Sequence, residues 1–109
     1  MSKKKTEDLS RIELKKLLAV ARGDQGPDIL ITNVKILDLV CGDISDSSIA
    51  ISGRHIAGIG KEYEESKAKK IWDAKGATAV PGFIDGHLHV ESSMMHPFEF
   101  ERLTLPLGT

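Results

Sequence analysis

Residues 80–93 read VPGFIDGHLHVESS, and the interpretation of the whole chain starts from this stretch. Within it, Phe83 to Glu91 has the composition of a β-strand that follows a Pro-Gly pair. Because successive side chains of a strand point to opposite faces, four ionisable residues are predicted to share one face: Asp85, His87, His89 and Glu91. The other face carries only glycine and apolar side chains, so the polar groups are concentrated on one side.

The two histidines of this stretch have the spacing of a pair of metal ligands. With a rise of about 3.3 Å per residue, the Cα atoms of His87 and His89 are expected roughly 6–7 Å apart, so both imidazoles can bind one divalent cation. A bare His-x-His occurs by chance in many chains, but the preceding Pro-Gly pair and the two flanking carboxylates favour a metal site. Neutral imidazole suits zinc, iron, manganese and nickel, so two ligands do not select the metal.

A loop and a helix are predicted after the histidines. Pro97 fits the first position of a helix that runs to about Leu105, with Glu99 in its first turn and Pro106 and Gly108 at its end. A strand, a ligand-bearing loop and a helix make a βα unit. In a (β/α)₈ barrel such units carry functional residues at the C-terminal ends of their strands, although one unit cannot close a barrel.

The residues before this stretch predict a helix and a set of strands. Thr6 to Arg22 has helical apolar spacing at Ile12, Leu14, Leu17, Leu18 and Ala21, with a capping box at Ser10 and Glu13. Asp28 to about Gly60 reads as short antiparallel strands with a turn at Gly42-Asp43 and a tight hairpin beside His55. Residues 61–70 form a solvated loop or short helix, and residues 71–74 a further strand. His55 has no second ligand near it in sequence, so a metal role is not assigned to it.

Composition narrows the classes of protein that fit. Fifteen basic and sixteen acidic residues give a formal net charge of −1, which favours neither nucleic acid nor a membrane surface as partner. The lysines at positions 3–5 are interpreted as a solvated tail. Cys41 is the only cysteine, so an internal disulfide is excluded and a reducing compartment fits. No signal-peptide stretch and no run of roughly 20 apolar residues occurs, so a soluble, cytoplasmic chain is expected.

The segment that contains the two histidines resembles a known enzyme family. Residues 80–89, VPGFIDGHLH, resemble the first metal-binding strand of the amidohydrolase superfamily, and the continuation VESSMM with PFEF after it resembles the adenine deaminase family within that superfamily. The resemblance implies an α/β chain in three parts. Residues 1–23 would form an N-terminal helix, residues 24–80 part of a small, composite β-sandwich, and residues 81–109 the first strand and helix of a truncated TIM-like barrel.

The same resemblance implies an activity and a site. The activity is hydrolysis of adenine to hypoxanthine and ammonia, a step of purine salvage, at a centre that is usually binuclear with manganese or iron, zinc being possible. His87 and His89 would hold the first metal, and Asp85 would orient a ligand. Glu91 could approach the metals or the substrate, and Ser92 and Ser93 could line the pocket mouth. The catalytic carboxylates of the family lie on later strands, so no catalytic residue is assigned here. The full-length enzyme could be a homo-oligomer.

Three other kinds of protein share part of this pattern. Another amidohydrolase, such as a dihydroorotase, hydantoinase or imidazolonepropionase, shares the His-x-His strand but not the continuation at residues 91–95. A cytidine-deaminase-type zinc enzyme needs a later Pro-Cys-x-x-Cys, which the single Cys41 excludes. The third alternative is a non-catalytic, truncated fragment. We therefore expect the 109 residues alone to be inactive and to expose apolar side chains at Phe83, at Leu88 and on the helix after Pro97.

Overall fold

The computed structural model describes residues 9–109, which form two compact units that divide between Ala79 and Val80. The lysines at positions 3–5 and the predicted helix start at Thr6 lie outside the described residues. Within residues 9–109, no helix is both long enough and apolar enough to cross a lipid bilayer.

The first unit begins with helix α1, Arg11–Ala21, whose predicted capping box is confirmed. The Ser10 hydroxyl accepts from the Glu13 N–H at 3.2 Å, and the Glu13 carboxylate accepts from the Ser10 N–H at 2.8 Å. Because Ser10 itself has extended backbone angles, α1 begins at Arg11, directly after its cap. The predicted apolar stripe is only partly right. Ile12 is 81% exposed, and the one fully buried side chain of the helix is Val20, which was not in the stripe.

Helix α1 packs on one mixed sheet of five strands. In chain order they are β1 Ile29–Leu37, β2 Ile44–Ser52, β3 His55–Ile59, β4 Lys70–Asp73 and β5 Thr78–Ala79. The sheet order is β3-β2-β1-β4, and β5 pairs with β1 as well. The predicted antiparallel arrangement is confirmed for β1, β2 and β3, which are joined by the predicted turn at Gly42 and the tight hairpin after Ser52. Both β4 and β5 run parallel to β1. The first unit is therefore a small α/β domain with one helix and a mixed sheet.

A β-bulge in β1 changes which face of the sheet the later side chains of this strand point to. Ile31 pairs with Ile49 but Val34 pairs with Ser47, so β1 has one extra residue here, and Asn33 takes a positive φ of 51°. Before the bulge, Leu30 belongs to the buried cluster that contains Val20 of helix α1. After it, Val34 lies on the opposite face with Ile31 and Ile49. These three line an apolar groove of about 480 Å³ together with Trp72, which is 62% exposed.

Asp28 joins three parts of the first unit. Its half-buried carboxylate accepts hydrogen bonds from the ammonium groups of Lys16 on α1 and Lys69 before β4, each at 2.8 Å. It also accepts from the backbone N–H of Gly53 in the β2–β3 turn, at 2.8 Å. These bonds, that of Lys16 first, hold the pKa of the Asp28 carboxyl well below its ordinary value, because they stabilise the charged form.

We expect Asp28→Asn to lower the free energy of unfolding at pH 7 by about 2 kcal/mol, because charge-assisted hydrogen bonds are lost. A carboxyl with a depressed folded-state pKa stabilises the fold above its unfolded pKa of about 3.9, and this stabilisation is lost as the pH falls below that value. Urea unfolding from pH 7 to pH 3 should therefore show a difference between wild type and variant that shrinks on acidification. Asp24→Asn, at an exposed ion pair with Arg22, is the matched control. Equal effects of the two substitutions would contradict this role for Asp28.

The second unit contains no strand, which corrects the prediction for residues 83–91. Residues 80–89 form an irregular segment, followed by the 3₁₀ turn Val90–Ser93, helix α2 Pro97–Thr104 and the 3₁₀ turn Leu105–Leu107. A parallel strand takes its hydrogen bonds from neighbouring strands, and no strand of the described residues pairs with this segment. The predicted helix is confirmed with Pro97 at its first turn, although it ends one residue early.

The apolar side chains of the second unit are largely open to solvent. Phe83 is 69% exposed, Leu88 46% and Phe98, on α2, 67%. The expectation that these positions expose apolar surface is confirmed. Burial of apolar side chains therefore contributes little to the stability of this unit, and its order depends on local hydrogen bonds.

Candidate metal centre

The two histidines of the predicted pair face each other through their ring nitrogens. His87 Nε2 and His89 Nε2 lie 2.9 Å apart, and the ring centroids are 4.8 Å apart with a 59° angle between the ring planes. The predicted strand is absent, yet residues two apart in an extended segment still turn their side chains to the same side. The convergence of the imidazoles therefore does not need a sheet.

This geometry fits a pair of ligands on one cation. Two nitrogens bound at about 2.0–2.1 Å lie roughly 2.9–3.4 Å apart for octahedral to tetrahedral angles. The observed 2.9 Å between the Nε2 atoms of His87 and His89 is at the short end of this range. Both histidines are exposed residues of the irregular segment, so a cation can reach their rings from solvent. The donor pair thus has the chemistry and the spacing to hold one divalent metal ion.

The two carboxylates that flank the histidines make different contacts. Asp85 Oδ1 accepts a hydrogen bond from the backbone N–H of His87 at 3.1 Å, and so it fixes the main chain of the segment. Glu91 Oε1 lies 2.8 Å from His89 Nδ1, and so it contacts an imidazole directly. The predicted polar set is therefore brought together, but only Glu91 touches a ring.

Ser92 and Ser93 lie in the turn that follows the histidines. The Ser92 N–H donates to the His89 carbonyl at 3.3 Å. The Ser93 hydroxyl donates to the Val90 carbonyl at 2.5 Å and accepts from the Met95 N–H at 3.3 Å. Both serines therefore close the 3₁₀ turn, and their predicted place at a pocket mouth stays a prediction.

Two features of this turn were not predicted. His96 caps helix α2, since its Nδ1 accepts from the Phe98 N–H at 3.4 Å, and its ring stacks on Phe98. A polar residue directly before the proline at the first turn was the available signal. Met94 has a positive φ of 58° and is 97% exposed, a conformation that no sequence pattern announces.

Within the described residues, the candidate centre offers two imidazoles that could bind a metal ion. Among residues 9–109, no group of three histidine, cysteine, aspartate or glutamate side chains is arranged to hold a metal ion. His55 lies at the start of β3 in the first unit. A catalytic zinc site ordinarily has three protein ligands, so further ligands from outside these residues are needed for a complete centre.

Curated proteins named adenine deaminase match the whole chain. The protein from Bdellovibrio bacteriovorus strain HD100 is 56% identical over 109 residues, which are 100% of this chain and 19% of that protein. The protein from Escherichia coli strain HS is 57% identical over 104 residues, which are 95% of this chain and 18% of that protein. The chain thus spans about a fifth of the length of the curated relatives it matches.

Likeness to family models and to solved structures is weaker. No family model matches the sequence. The crystal structure of a Bacillus thuringiensis protein is 33% identical and covers 60% of this chain and 92% of that one, with a TM-score of 0.40. A likeness at that TM-score decides nothing about the fold.

Proposed function

Since the chain is homologous to the N-terminal fifth of proteins named adenine deaminase, we propose that it is the corresponding part of a metal-dependent enzyme that hydrolyses adenine to hypoxanthine and ammonia. The observation that carries the proposal is the 56% identity over all 109 residues, a span that contains the His-x-His segment. The alternative of another cyclic-amide hydrolase has no comparable support, since the two relatives described above have the same name.

The metal part of the proposal is supported by the facing imidazoles. We propose that His87 and His89 hold one divalent cation of a binuclear manganese or iron centre, with zinc as a possible substitute. A cation bound there would lower the pKa of a bound water from 15.7 to about 7, which supplies a nucleophile near neutral pH. The role of this chain would be to orient the Nε2 lone pairs of both histidines. Ser92 and Ser93 would hold the turn that follows them.

The substrate that this function implies is adenine. We also propose that the residues after position 80 form the first part of a barrel. The exposed apolar side chains of the second unit support it, because a barrel strand and its helix bury such side chains against neighbouring units. A homo-oligomer, which the resemblance implies, and a cytoplasmic location, which was expected from composition, stay predictions.

A chimera tests the proposed function. In it, this chain replaces the matching residues of the Bdellovibrio bacteriovorus relative, and ammonia release from adenine is measured with added Mn²⁺ or Fe²⁺. We expect the chimera to deaminate adenine within about tenfold of the unmodified relative, while the 109-residue chain alone shows no turnover. A second measurement, circular dichroism, establishes that the chimera is folded. A folded, metal-loaded chimera without activity would overturn the proposal, and turnover by the 109 residues alone would overturn the expectation that two imidazoles are insufficient.

A further inference from the structure

Glu91 is the one carboxylate of the described second unit that contacts a histidine ring, through the 2.8 Å approach of its Oε1 to His89 Nδ1. An ionised carboxylate only accepts hydrogen bonds, so the proton of this bond is on Nδ1. In a neutral imidazole the other nitrogen then carries the free lone pair. The contact with Glu91 therefore leaves His89 Nε2 as the available metal-binding nitrogen.

The lone pair selected in this way is aimed at the second histidine. His89 Nε2 faces His87 Nε2 at 2.9 Å, and the space beside this pair is where a shared cation would lie. In the metal-free chain the same geometry makes His87 Nε2 the donor and His89 Nε2 the acceptor, because two lone pairs at this distance would repel. To bind a shared cation through both Nε2 atoms, His87 would have to change its tautomer, whereas His89 would keep the one that Glu91 favours.

We propose that Glu91 is a positioning residue that fixes His89 as the Nδ1–H tautomer and so presents Nε2 to the metal. Carboxylates that hold the far nitrogen of a ligating histidine set its tautomer and raise its basicity. The inference deepens the proposed function and rests on His87 and His89 being the ligand pair. It adds a role for a side chain that the sequence placed only near the metals or the substrate.

The backbone of the turn explains why Glu91 reaches back to His89. His89 is extended, with φ −114° and ψ 93°, and the 3₁₀ turn begins directly after it. The Ser92 N–H bond to the His89 carbonyl and the Ser93 hydroxyl bond to the Val90 carbonyl hold this turn. Glu91 is thereby kept on the side of the preceding imidazole.

The contact between Glu91 and His89 affects the orientation of the imidazole more than the stability of the fold. The side chains of His89 and Glu91 are 61% and 72% exposed, and even a fully charged pair with this exposure would contribute little to the stability of a fold. Asp85 cannot take over the role, because it accepts from the backbone N–H of His87 and so selects no imidazole tautomer. A substitution at Glu91 should therefore change the ring tautomer and the metal affinity without unfolding the chain.

The first measurement is the tautomer of His89 in the metal-free, ¹⁵N-labelled 109-residue chain at pH 8, where histidine is ordinarily neutral. Long-range ¹H–¹⁵N correlation spectra distinguish Nδ1–H from Nε2–H. We expect Nδ1–H for His89 in the wild type and in Glu91→Gln, whose amide oxygen still accepts. Glu91→Ala should shift His89 to the Nε2–H form that an unconstrained imidazole favours. Glu101→Ala is the matched control on α2 and should leave His89 unchanged.

The second measurement is Zn²⁺ affinity, followed through the ring signals of both histidines. We expect Glu91→Ala to weaken binding 10–100-fold, as is typical when such a partner is removed, and Glu91→Gln to weaken it much less. His89 in the Nε2–H form in the wild type, or unchanged tautomer and affinity in Glu91→Ala, would overturn the inference. Absence of Zn²⁺ binding by the wild type would instead count against the proposed ligand pair, and the tautomer of the metal-free chain would still be decided separately.

Discussion

His89→Ala in the chimera is expected to lower kcat/KM for adenine by roughly a thousandfold or more. A catalytic cation contributes several kcal/mol of transition-state stabilisation, and each 1.36 kcal/mol is a factor of ten in rate. Removing one of two nitrogens that lie 2.9 Å apart leaves a single protein ligand from this segment, so the cation is lost or displaced. His87→Ala should have an effect of the same size, because both imidazoles are proposed to bind the same cation.

The control for this experiment is His55→Ala in the same chimera. His55 is an exposed residue at the start of β3, and its removal should change kcat/KM by less than about threefold. Metal content, measured by atomic absorption on the purified variants, separates loss of the ion from a misplaced ion. A His89→Ala chimera that retains more than a tenth of the activity would show that this histidine is not a ligand.

Leu30→Ala is expected to be the most damaging apolar substitution in the first unit. Leu30 is fully buried and packs with Val20 of α1 and Ala50 of β2. Truncating a buried leucine to alanine costs about 2–5 kcal/mol, and a small domain has only about 5–15 kcal/mol in total. We therefore expect the urea midpoint of the 109-residue chain, followed by circular dichroism, to fall by a third or more.

Leu39→Ala is the matched control, because the substitution is chemically identical at a side chain that is 67% exposed. It should change the free energy of unfolding by less than about 0.5 kcal/mol. Similar midpoints for the two variants would mean that helix α1 and the sheet do not share a core through Leu30.

The sequence was informative where structure is decided by neighbouring residues. The capping box at Ser10, the turn at Gly42, the hairpin after Ser52 and the proline start of α2 all depend on contacts within a few residues, and all four are confirmed. The parallel pairing of β4 and β5 with β1 brings together residues about forty apart, and no local pattern announces it.

For the segment around the histidines, the sequence predicted the grouping of side chains correctly and the secondary structure wrongly. The alternation of side chains along an extended backbone correctly placed His87, His89 and Glu91 on one side. A strand also needs a neighbouring strand to form hydrogen bonds with its backbone. Among the described residues, no strand pairs with residues 83–91. The tautomer set by Glu91 depends on one torsion-dependent contact, so it could not be inferred from spacing alone.

The bulge at Thr32–Asn33 makes the length of β1 as important as its composition. Every position after the bulge faces the side opposite to the one that simple alternation would give, so Val34 lines the groove and not the helix side. A conservative substitution in this strand changes one contact. Loss of a single codon at position 32 or 33 would remove the bulge and leave Val34 paired with Ser47 on the groove side, whereas loss of a codon after Val34 would exchange the faces of the residues that follow it. The bulge is therefore the place in β1 where the number of residues can change without turning the rest of the strand over.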